Sequence, residues 1–229
     1  MNTLNGLTVT EAAERLGITR ASVHDLLRSG QLTTSGRTAH SLIIDRSSVE
    51  RLAATGTRRG RAWTARIAWA ALAILSGQNP TWVSASEKSR LKKRLKTLDA
   101  NAVSVLARNK DCTFRYRATP DALLALSDYL IASGATAMRD ETTAETFGMT
   151  GGSGIAEGYV MAGDARALAN SFGLVEDPEG NAVIHEVELE EPFAGGRAPV
   201  AAVAVDLMGS LATRERSAGR RVIEELLHV

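Results

Sequence analysis

Two short helical patterns separated by a glycine, TVTEAAERLG and ITRASVHDLLRSG, most constrain how the start of this chain can fold. Thr8 and Glu11 have the spacing of a capping box, in which each side chain accepts a hydrogen bond from the other residue's backbone amide. Gly17 predicts the end of the first helix, because glycine takes the left-handed conformation at little steric cost. Thr19 predicts the cap of the second helix and Gly30 its end. Helix, tight turn and helix in this order predict a helix-turn-helix.

The next segment, QLTTSGRTAHSLIID, predicts a small β-hairpin, or wing. Leu32 is predicted to begin the first strand, Ser35–Gly36 to form the turn, and Ser41 to Ile44 to form the return strand. The stretch DRSSVERL then predicts a third helix, with Ser47 and Glu50 as a second capping box. Together these elements predict a winged helix-turn-helix domain over residues 1–57.

The second helix is predicted to enter the major groove of double-stranded DNA by its N-terminal end. Arg20 can bridge O6 and N7 of guanine, and Ser22 can bond a base or a phosphate. Asp25 either faces the DNA or only orients Arg28. Arg37, in the wing, is predicted to reach a minor groove or a phosphate. The predicted DNA contacts of the domain and of the linker after it are Thr19, Arg20, Ser22, His24, Arg37, His40, Arg58, Arg59 and Arg61.

Positive charge is concentrated just after this domain. Residues 58–118 carry 14 Lys and Arg against 3 Asp and Glu, whereas residues 1–57 carry 6 against 5. The TGTRRGR stretch predicts a linker whose arginines either clamp phosphate in a minor groove or are simply solvated. The helix predicted over EKSRLKKRLKTL brings many cations close together, and these repel one another unless an anion such as DNA, RNA or an acidic protein is near. The alternative is that they form a solvated face. These predicted phosphate or partner contacts are Lys88, Arg90, Lys92, Lys93, Arg94 and Lys96.

The rest of the chain, residues 119–229, is acidic, with 18 Asp and Glu against 7 Lys and Arg. Strand and helix patterns are mixed here, so residues 58–229 are predicted to form a larger mixed α/β domain with a basic helical segment, 58–118. The predicted fold class of the whole chain is α+β. One cysteine, Cys112, no apolar run of about 18 residues and no signal-peptide pattern lead us to expect a cytoplasmic protein that does not span a membrane.

No catalytic or metal-binding constellation emerges from the sequence, so we expect no enzyme activity, metal or cofactor. His185 and His228 lack a neighbouring Cys or His at metal-ligand spacing. The glycine-rich stretch GMTGGSGIAEG lacks the lysine of a phosphate-binding loop. Asp206, inside VAVDLM, needs a partner if it is buried, and Arg214 or Arg216 is predicted. The carboxylates predicted to line the solvent side of a late strand and loop are Glu186, Glu188, Glu190 and Glu191.

Two family resemblances rest on these patterns. The N-terminal segment resembles the winged helix of the excisionase/MerR type, which implies DNA binding. The resemblance rests on the order TVTEAAERLGITRASVHDLLRSGQL, wing, IDRSSVERL. The overall order is similar to the AbiEi family, the antitoxins of abortive-infection toxin–antitoxin pairs. That order is a winged helix, a basic helical segment, SGATA, GYV, GNAVIHEV and finally AVDLMGSLATRERSAGRRVIEEL. The Arg139–Gly154 segment is longer and richer in glycine than this resemblance leads us to expect.

The AbiEi resemblance implies two activities. The N-terminal domain would repress its own operon by binding inverted repeats, and the C-terminal domain would neutralise a nucleotidyltransferase-like toxin, with or without a stable complex. Because one winged helix contacts few base pairs, we expect two copies on repeated half-sites, which could form a homodimer on the DNA. Three alternatives stay open: a regulator whose C-terminal domain senses a small molecule, an enzyme that modifies a toxin, and an excisionase-type architectural factor.

Overall fold

The computed structural model describes residues 6–28, 31–37, 42–55, 62–151 and 154–228. The chain divides into two compact units, Met1–Arg59 and Gly60–Val229. Both helices and strands build the chain, which confirms the predicted α+β class. In the part of the chain that the structure describes, no helix combines the length and the apolar character needed to cross a bilayer.

The described residues of the first unit form three helices and a three-stranded antiparallel sheet of order β1-β3-β2. Its core is small and aliphatic, with Ala12, Val23, Ile44 and Val49 completely buried. The elements in chain order are β1 (Gly6–Thr8), α1 (Val9–Leu16), α2 (Arg20–Arg28), β2 (Thr34–Arg37), β3 (Leu42–Asp45) and α3 (Arg46–Thr55).

The turn between α1 and α2 forms as the sequence predicts. The Thr8 hydroxyl accepts from the Glu11 amide at 3.2 Å, and the Glu11 carboxylate accepts from the Thr8 amide at 2.7 Å. Gly17 ends α1 with a φ of 64°, in the left-handed region. The Thr19 hydroxyl then accepts from the Ser22 amide at 3.1 Å and caps α2. The predicted helix end at Gly30 lies outside the described residues.

The wing differs from its prediction in register. Ser35 and Gly36 lie inside β2 and do not form the turn, and the strand begins at Thr34, not at Leu32, which is buried in the core. Thr34 pairs with Ile44 and Gly36 with Ile43, so one strand holds an extra residue at this point. Such a bulge shifts the pairing along the chain, and the connection 38–41 lies outside the described residues.

The predicted second capping box is also wrong. Asp45 occupies the capping position of α3, where its carboxylate accepts from the Ser48 amide at 2.7 Å. Glu50, the predicted partner of Ser47, instead forms an ion pair with Arg15 of α1 at 2.6 Å. The hydrogen bonds from Arg15 lower the pKa of Glu50. A tertiary contact has therefore taken the side chain that the local pattern assigned to the cap.

The second unit combines helices with a five-stranded mixed sheet of order β5-β6-β8-β4-β7. Only β6 and β8 are parallel, and the other neighbours are antiparallel. Two 3-10 helices, Gly134–Arg139 and Glu191–Phe193, complete its described elements. The helices and strands are α4 (Ala65–Leu75), α5 (Ala85–Leu95), α6 (Ala100–Leu106), β4 (Cys112–Arg117), α7 (Pro120–Ser127), β5 (Ile131–Ala132), α8 (Glu141–Phe147), β6 (Ala156–Met161), α9 (Asp164–Ser171), β7 (Val175–Glu176), β8 (Ala182–Val187), α10 (Val200–Met208) and α11 (Thr213–Leu227).

Each face of this sheet carries its own hydrophobic core, because successive side chains of a strand point to opposite faces. Tyr159 and Val187 belong to the larger core, which α4 and α10 share. Val160 and Ile184 point to the opposite face of the sheet. They belong to the smaller core, which α7 and α9 share. Trp69 of α4 is completely buried in the larger core.

The sequence pattern of this unit predicts a helix entered at Pro120 and strands over 158–161 and 182–187, and the structure confirms these three elements. The segment IASGATAM is an exception. Its pattern predicts the start of a helix, but it forms strand β5 and then a 3-10 helix. Glu186 is the second exception, because its carboxylate accepts from the Ala165 amide at 2.9 Å in the first turn of α9 and does not simply face solvent.

The last two helices pack closely at a glycine. A Cβ added to Gly219 of α11 would lie 2.4 Å from the carbonyl oxygen of Ala204 and 3.0 Å from the Cβ of Leu207, both in α10. Real side chains do not approach a backbone oxygen this closely, so the two helices can keep this distance only with glycine at the crossing.

We expect Gly219→Ala to destabilise the second unit, by about 1–3 kcal/mol, because the helices must move apart. Helix propensity alone predicts the opposite sign, a gain of about 1 kcal/mol. The measurement is urea unfolding followed by tryptophan fluorescence, because Trp63, Trp69 and Trp82 all lie in this unit. Ser217→Ala, at an exposed position of the same helix, is the control. A stabilised Gly219→Ala variant would show that the crossing has room for a methyl group.

Candidate functional site

The N-terminal end of α2 presents the predicted recognition residues in two different ways. Arg20 and His24 are exposed and one turn apart, so they share a face of the helix. Thr19 and Ser22 face each other with their hydroxyl oxygens 2.9 Å apart, and both take part in the cap. Arg20 and His24 are therefore the exposed side chains at this end of α2, while Thr19 and Ser22 fix where the helix begins.

Asp25 forms an ion pair with Arg28 at 2.5 Å, and both side chains are exposed. Arg37 ends β2 and is exposed, with Leu42 as its partner in β3. The first unit thus offers an exposed cation on the recognition helix and another on the wing. The remaining predicted DNA contacts lie outside the described residues: His40, Arg58, Arg59 and Arg61.

The basic helix α5 is held to the second unit by one face only. Leu91 and Leu95 are buried, and Ser84 and Glu87 form a capping box at its start. Glu87 also pairs with Arg66, and hydrogen bonds from the Ser84 amide and Arg66 lower the pKa of Glu87 to about 2. The single carboxylate of the helix is therefore engaged at its N-terminus, away from the cations that follow it.

Those cations differ in their surroundings. Lys88 donates to the Asn79 side chain at 3.0 Å, Arg90 to the Ser86 carbonyl at 3.3 Å, and the Arg94 guanidinium lies 5.6 Å from the ring centre of Trp63. Among the described residues, no carboxylate forms an ion pair with the three exposed lysines Lys92, Lys93 and Lys96. This face of α5 is therefore a basic surface without an ion pair among the described residues.

A cluster of ionisable side chains lies buried against the larger core of the second unit. Lys110 and Asp111 stand just before β4, His185 lies on β8, and Asp206 lies on α10. The Lys110 ammonium lies 2.8 Å from Asp206 and also contacts Asp111. All four side chains are less than 8% exposed, so their charges are compensated by one another and not by water.

Hydrogen bonds complete this ionic cluster. Ser133 donates to the Asp206 carboxylate at 2.5 Å, and the Tyr159 hydroxyl donates to the same carboxylate. Burial and the Asp206 charge raise the pKa of Tyr159, which keeps the phenol protonated as a donor. The prediction that Arg214 or Arg216 pairs with Asp206 is wrong. Arg216 instead donates to the carbonyl oxygens of Ser210 and Leu211.

Burial alone would lower the pKa of Lys110, but the carboxylates of Asp111 and Asp206 outweigh it and raise that pKa well above its usual value. His185 has an acceptor at each ring nitrogen: Asp111 lies 3.2 Å from Nδ1 and Glu157 lies 3.1 Å from Nε2. Burial opposes its charge, but Asp111 and Asp206 raise the pKa of His185 to about 10. His185 is thus an imidazolium that bridges two carboxylates.

Asp111, His185 and Asp206 bring three potential metal-ligand atoms within 4.8 Å of one another. The Lys110 ammonium already contacts both carboxylates, however, and its charge repels a metal cation. A histidine held as an imidazolium has no lone pair to offer a metal. The cluster therefore supplies its own cations, and its chemistry favours a structural role.

The glycine-rich segment borders a groove of about 450 Å³ on the second unit. Met138, Ala144 and Met149 give it an apolar lining, and Arg139 and Glu141 stand at its polar positions. Part of the segment, residues 152–153, lies outside the described residues.

Residues 7–57 match a protein family described as Helix-turn-helix domain. No curated protein and no solved structure matches the chain. The match covers the three helices and the wing strands of the first unit, where Arg20 and Arg37 are exposed. The first unit is a DNA-binding helix-turn-helix domain, and the chain is a DNA-binding regulator.

The cluster predicts that the second unit loses stability in alkali. The pKa of His185 is raised from 6.5 to about 10 in the folded protein. His185 therefore contributes its full stabilisation below about pH 6.5 and loses it as the pH rises towards 10. We therefore expect the free energy of unfolding, followed by tryptophan fluorescence, to fall between these values. His185→Gln should be less stable at pH 6.5, and its free energy of unfolding should lose this slope against pH. His228→Gln, at an exposed position, should keep the slope. An unchanged slope in His185→Gln would contradict the imidazolium assignment.

Proposed function

We propose that the chain is an antitoxin that represses its own operon through the helix-turn-helix and neutralises a nucleotidyltransferase-like toxin through the second unit. The observation that carries the DNA-binding half is the capped helix α2, which presents Arg20 and His24 from a fixed start. The antitoxin half is supported by the resemblance to the AbiEi family in GYV, GNAVIHEV and the AVDLM-to-RRVIEEL ending. These segments form β6, β8, α10 and α11, and the first three of these elements carry Glu157, His185 and Asp206 of the ionic cluster.

Operator binding is proposed to use two copies of the chain on repeated half-sites. Arg20 would bridge a guanine in the major groove and Arg37 would reach the adjacent backbone or minor groove. The basic face of α5 would add affinity for phosphates without regard to sequence. Lys92, Lys93 and Lys96 suit this role because they are exposed on a capped helix, and no carboxylate forms an ion pair with them among the described residues.

The proposal that the first unit recognises the operator and the second unit neutralises the toxin can be tested in the full-length chain. The variant combines Arg20→Ala with Arg37→Ala. We expect preference for the operator over unrelated DNA to fall about 10-fold to 100-fold or more, because a bidentate arginine contributes about 1–3 kcal/mol of discrimination. Weak binding to any DNA should remain. Growth rescue on co-expression with the toxin from the adjacent gene should also remain. Glu14→Ala, at an exposed position of α1, is the control. Unchanged operator preference would refute the recognition assignment, and absence of rescue by the wild-type chain would refute the antitoxin assignment.

The role of α5 predicts a different signature. Replacing Lys92, Lys93 and Lys96 by Gln should weaken binding to operator and unrelated DNA alike. The slope of log K against log salt should become shallower by about 2.7, because each phosphate that a lysine neutralises adds about 0.9 to it. Fluorescence anisotropy with both DNAs at several salt concentrations measures this. A control triple removes three exposed arginines elsewhere in the unit, Arg166, Arg214 and Arg220. Equal slopes for the two triples would remove α5 from the DNA-binding surface.

A ligand-sensing regulator is the second candidate, and the groove bordered by Met138 and Met149 is the observation that favours it. Its volume of about 450 Å³ lies in the range of small-molecule sites. The rescue assay separates the two candidates. An antitoxin restores growth in the presence of the toxin, and a ligand sensor does not.

A further inference from the structure

The solvent face of helix α2 carries a single acidic side chain, Asp25. Val23 is completely buried on the side of the helix that packs into the core. At about 100° per residue, the exposed residues cover an arc of about 140° on the other side. They are Arg20, Ala21, His24, Asp25 and Arg28. Because this arc lies opposite the core, it is the surface that a recognition helix turns towards the major groove.

A carboxylate on this surface opposes DNA binding in general. Asp25 is 65% exposed, and exposed charges act over about 8 Å at physiological ionic strength. The phosphates of any bound duplex would therefore repel it. A group that weakens binding to most sequences can still favour one sequence, if that sequence alone offers it a hydrogen bond. Such a group contributes specificity and not affinity.

The base edges of the major groove offer a carboxylate few hydrogen-bond donors. Guanine presents N7 and O6 and thymine presents O4, and these acceptors repel a carboxylate. The donors are the amino groups at N6 of adenine and at N4 of cytosine, and adenine N6 stands beside the acceptor N7. Cytosine N4 has no acceptor beside it on the same base. Cytosine is therefore the base that suits an aspartate best.

The ion pair with Arg28 leaves Asp25 able to accept such a bond. Arg28 donates to Oδ1 of the carboxylate at 2.5 Å, and no hydrogen bond reaches Oδ2 from the described residues. Both side chains stay exposed, at 65% for Asp25 and 78% for Arg28. Since residues three apart share a helix face, the guanidinium offsets the charge of the carboxylate on the surface that meets the DNA.

We propose that Asp25 is a specificity-determining residue, whose carboxylate accepts a hydrogen bond from the N4 amino group of a cytosine in the bound DNA. The proposal deepens the proposed operator recognition and rests on it. Arg20 lies at the opposite border of the exposed arc and about 7.5 Å away along the helix axis, so the two side chains face different base pairs. Asp25 selects cytosine at one position, and Arg20 selects guanine at another.

The first experiment selects bound sequences from a pool of random double-stranded DNA with the full-length chain, so that no operator sequence is assumed. The wild type should enrich a motif with an invariant cytosine. Asp25→Asn should lose this cytosine or replace it by adenine, because the amide of asparagine pairs with N6 and N7 of adenine. Glu14→Gln is the matched control. It removes the same charge from an exposed position of α1 and should enrich the wild-type motif.

The second experiment measures affinities by fluorescence anisotropy, with the enriched sequence and with the same sequence carrying thymine in place of the selected cytosine. The wild type should bind the cytosine DNA at least about 5-fold more tightly, the typical effect of one wrong base pair. For Asp25→Asn this ratio should fall below about 2. The variant should also bind unrelated DNA more tightly, because it lacks a charge that phosphates repel. Equal melting temperatures of variant and wild type check that the fold is intact.

The outcomes separate the role of Asp25 from operator recognition itself. If the wild type enriches no motif, operator recognition fails and the role of Asp25 fails with it. If Asp25→Asn binds all DNA more tightly but still enriches the wild-type motif, the carboxylate merely repels phosphates, and the role of Asp25 alone is overturned. In that case the combined Arg20→Ala and Arg37→Ala variant should still lose the motif, because operator recognition is intact.

Discussion

The second unit depends on the contact between the Lys110 ammonium and the Asp206 carboxylate. This pair joins the segment before β4 to α10 across the larger core. His185 extends the connection to β8 and Glu157 to β6, so one set of charges links the centre of the sheet to the helix that covers it. Removal of either member of a buried pair leaves an uncompensated charge, at a cost of about 3–5 kcal/mol. The glycine crossing of α10 and α11 then places the last helix against this assembly.

The chain separates its surface charges by role. The recognition helix and wing present few cations at defined positions, and α5 presents many on one face, whereas residues 119–229 carry 18 Asp and Glu against 7 Lys and Arg. Opposite charges on different elements of one small protein attract it to different partners and limit competition between them.

Sequence patterns predicted the parts that short-range interactions determine. The caps at Thr8 and Thr19 involve residues three apart, and the helix entry at Pro120 depends on one ring. The ionic cluster could not be predicted in this way, because Ser133 and Asp206 are 73 residues apart and meet only in the folded sheet. Asp206 within an apolar run was the one visible signal, and it identified a buried carboxylate but not its partner. The wing register failed for a related reason: a bulge depends on both strands.

Gly134 shows how the cluster limits change in the sequence. A Cβ at this position would lie 2.0 Å from the Glu157 carboxylate, and the backbone φ of +50° is already unfavourable for other residues. A side chain at this position would therefore displace the Glu157 carboxylate from the His185 imidazolium. Across divergent relatives we expect these three positions to change together. Their covariation would identify this domain even where its surface and its DNA-binding unit have been replaced.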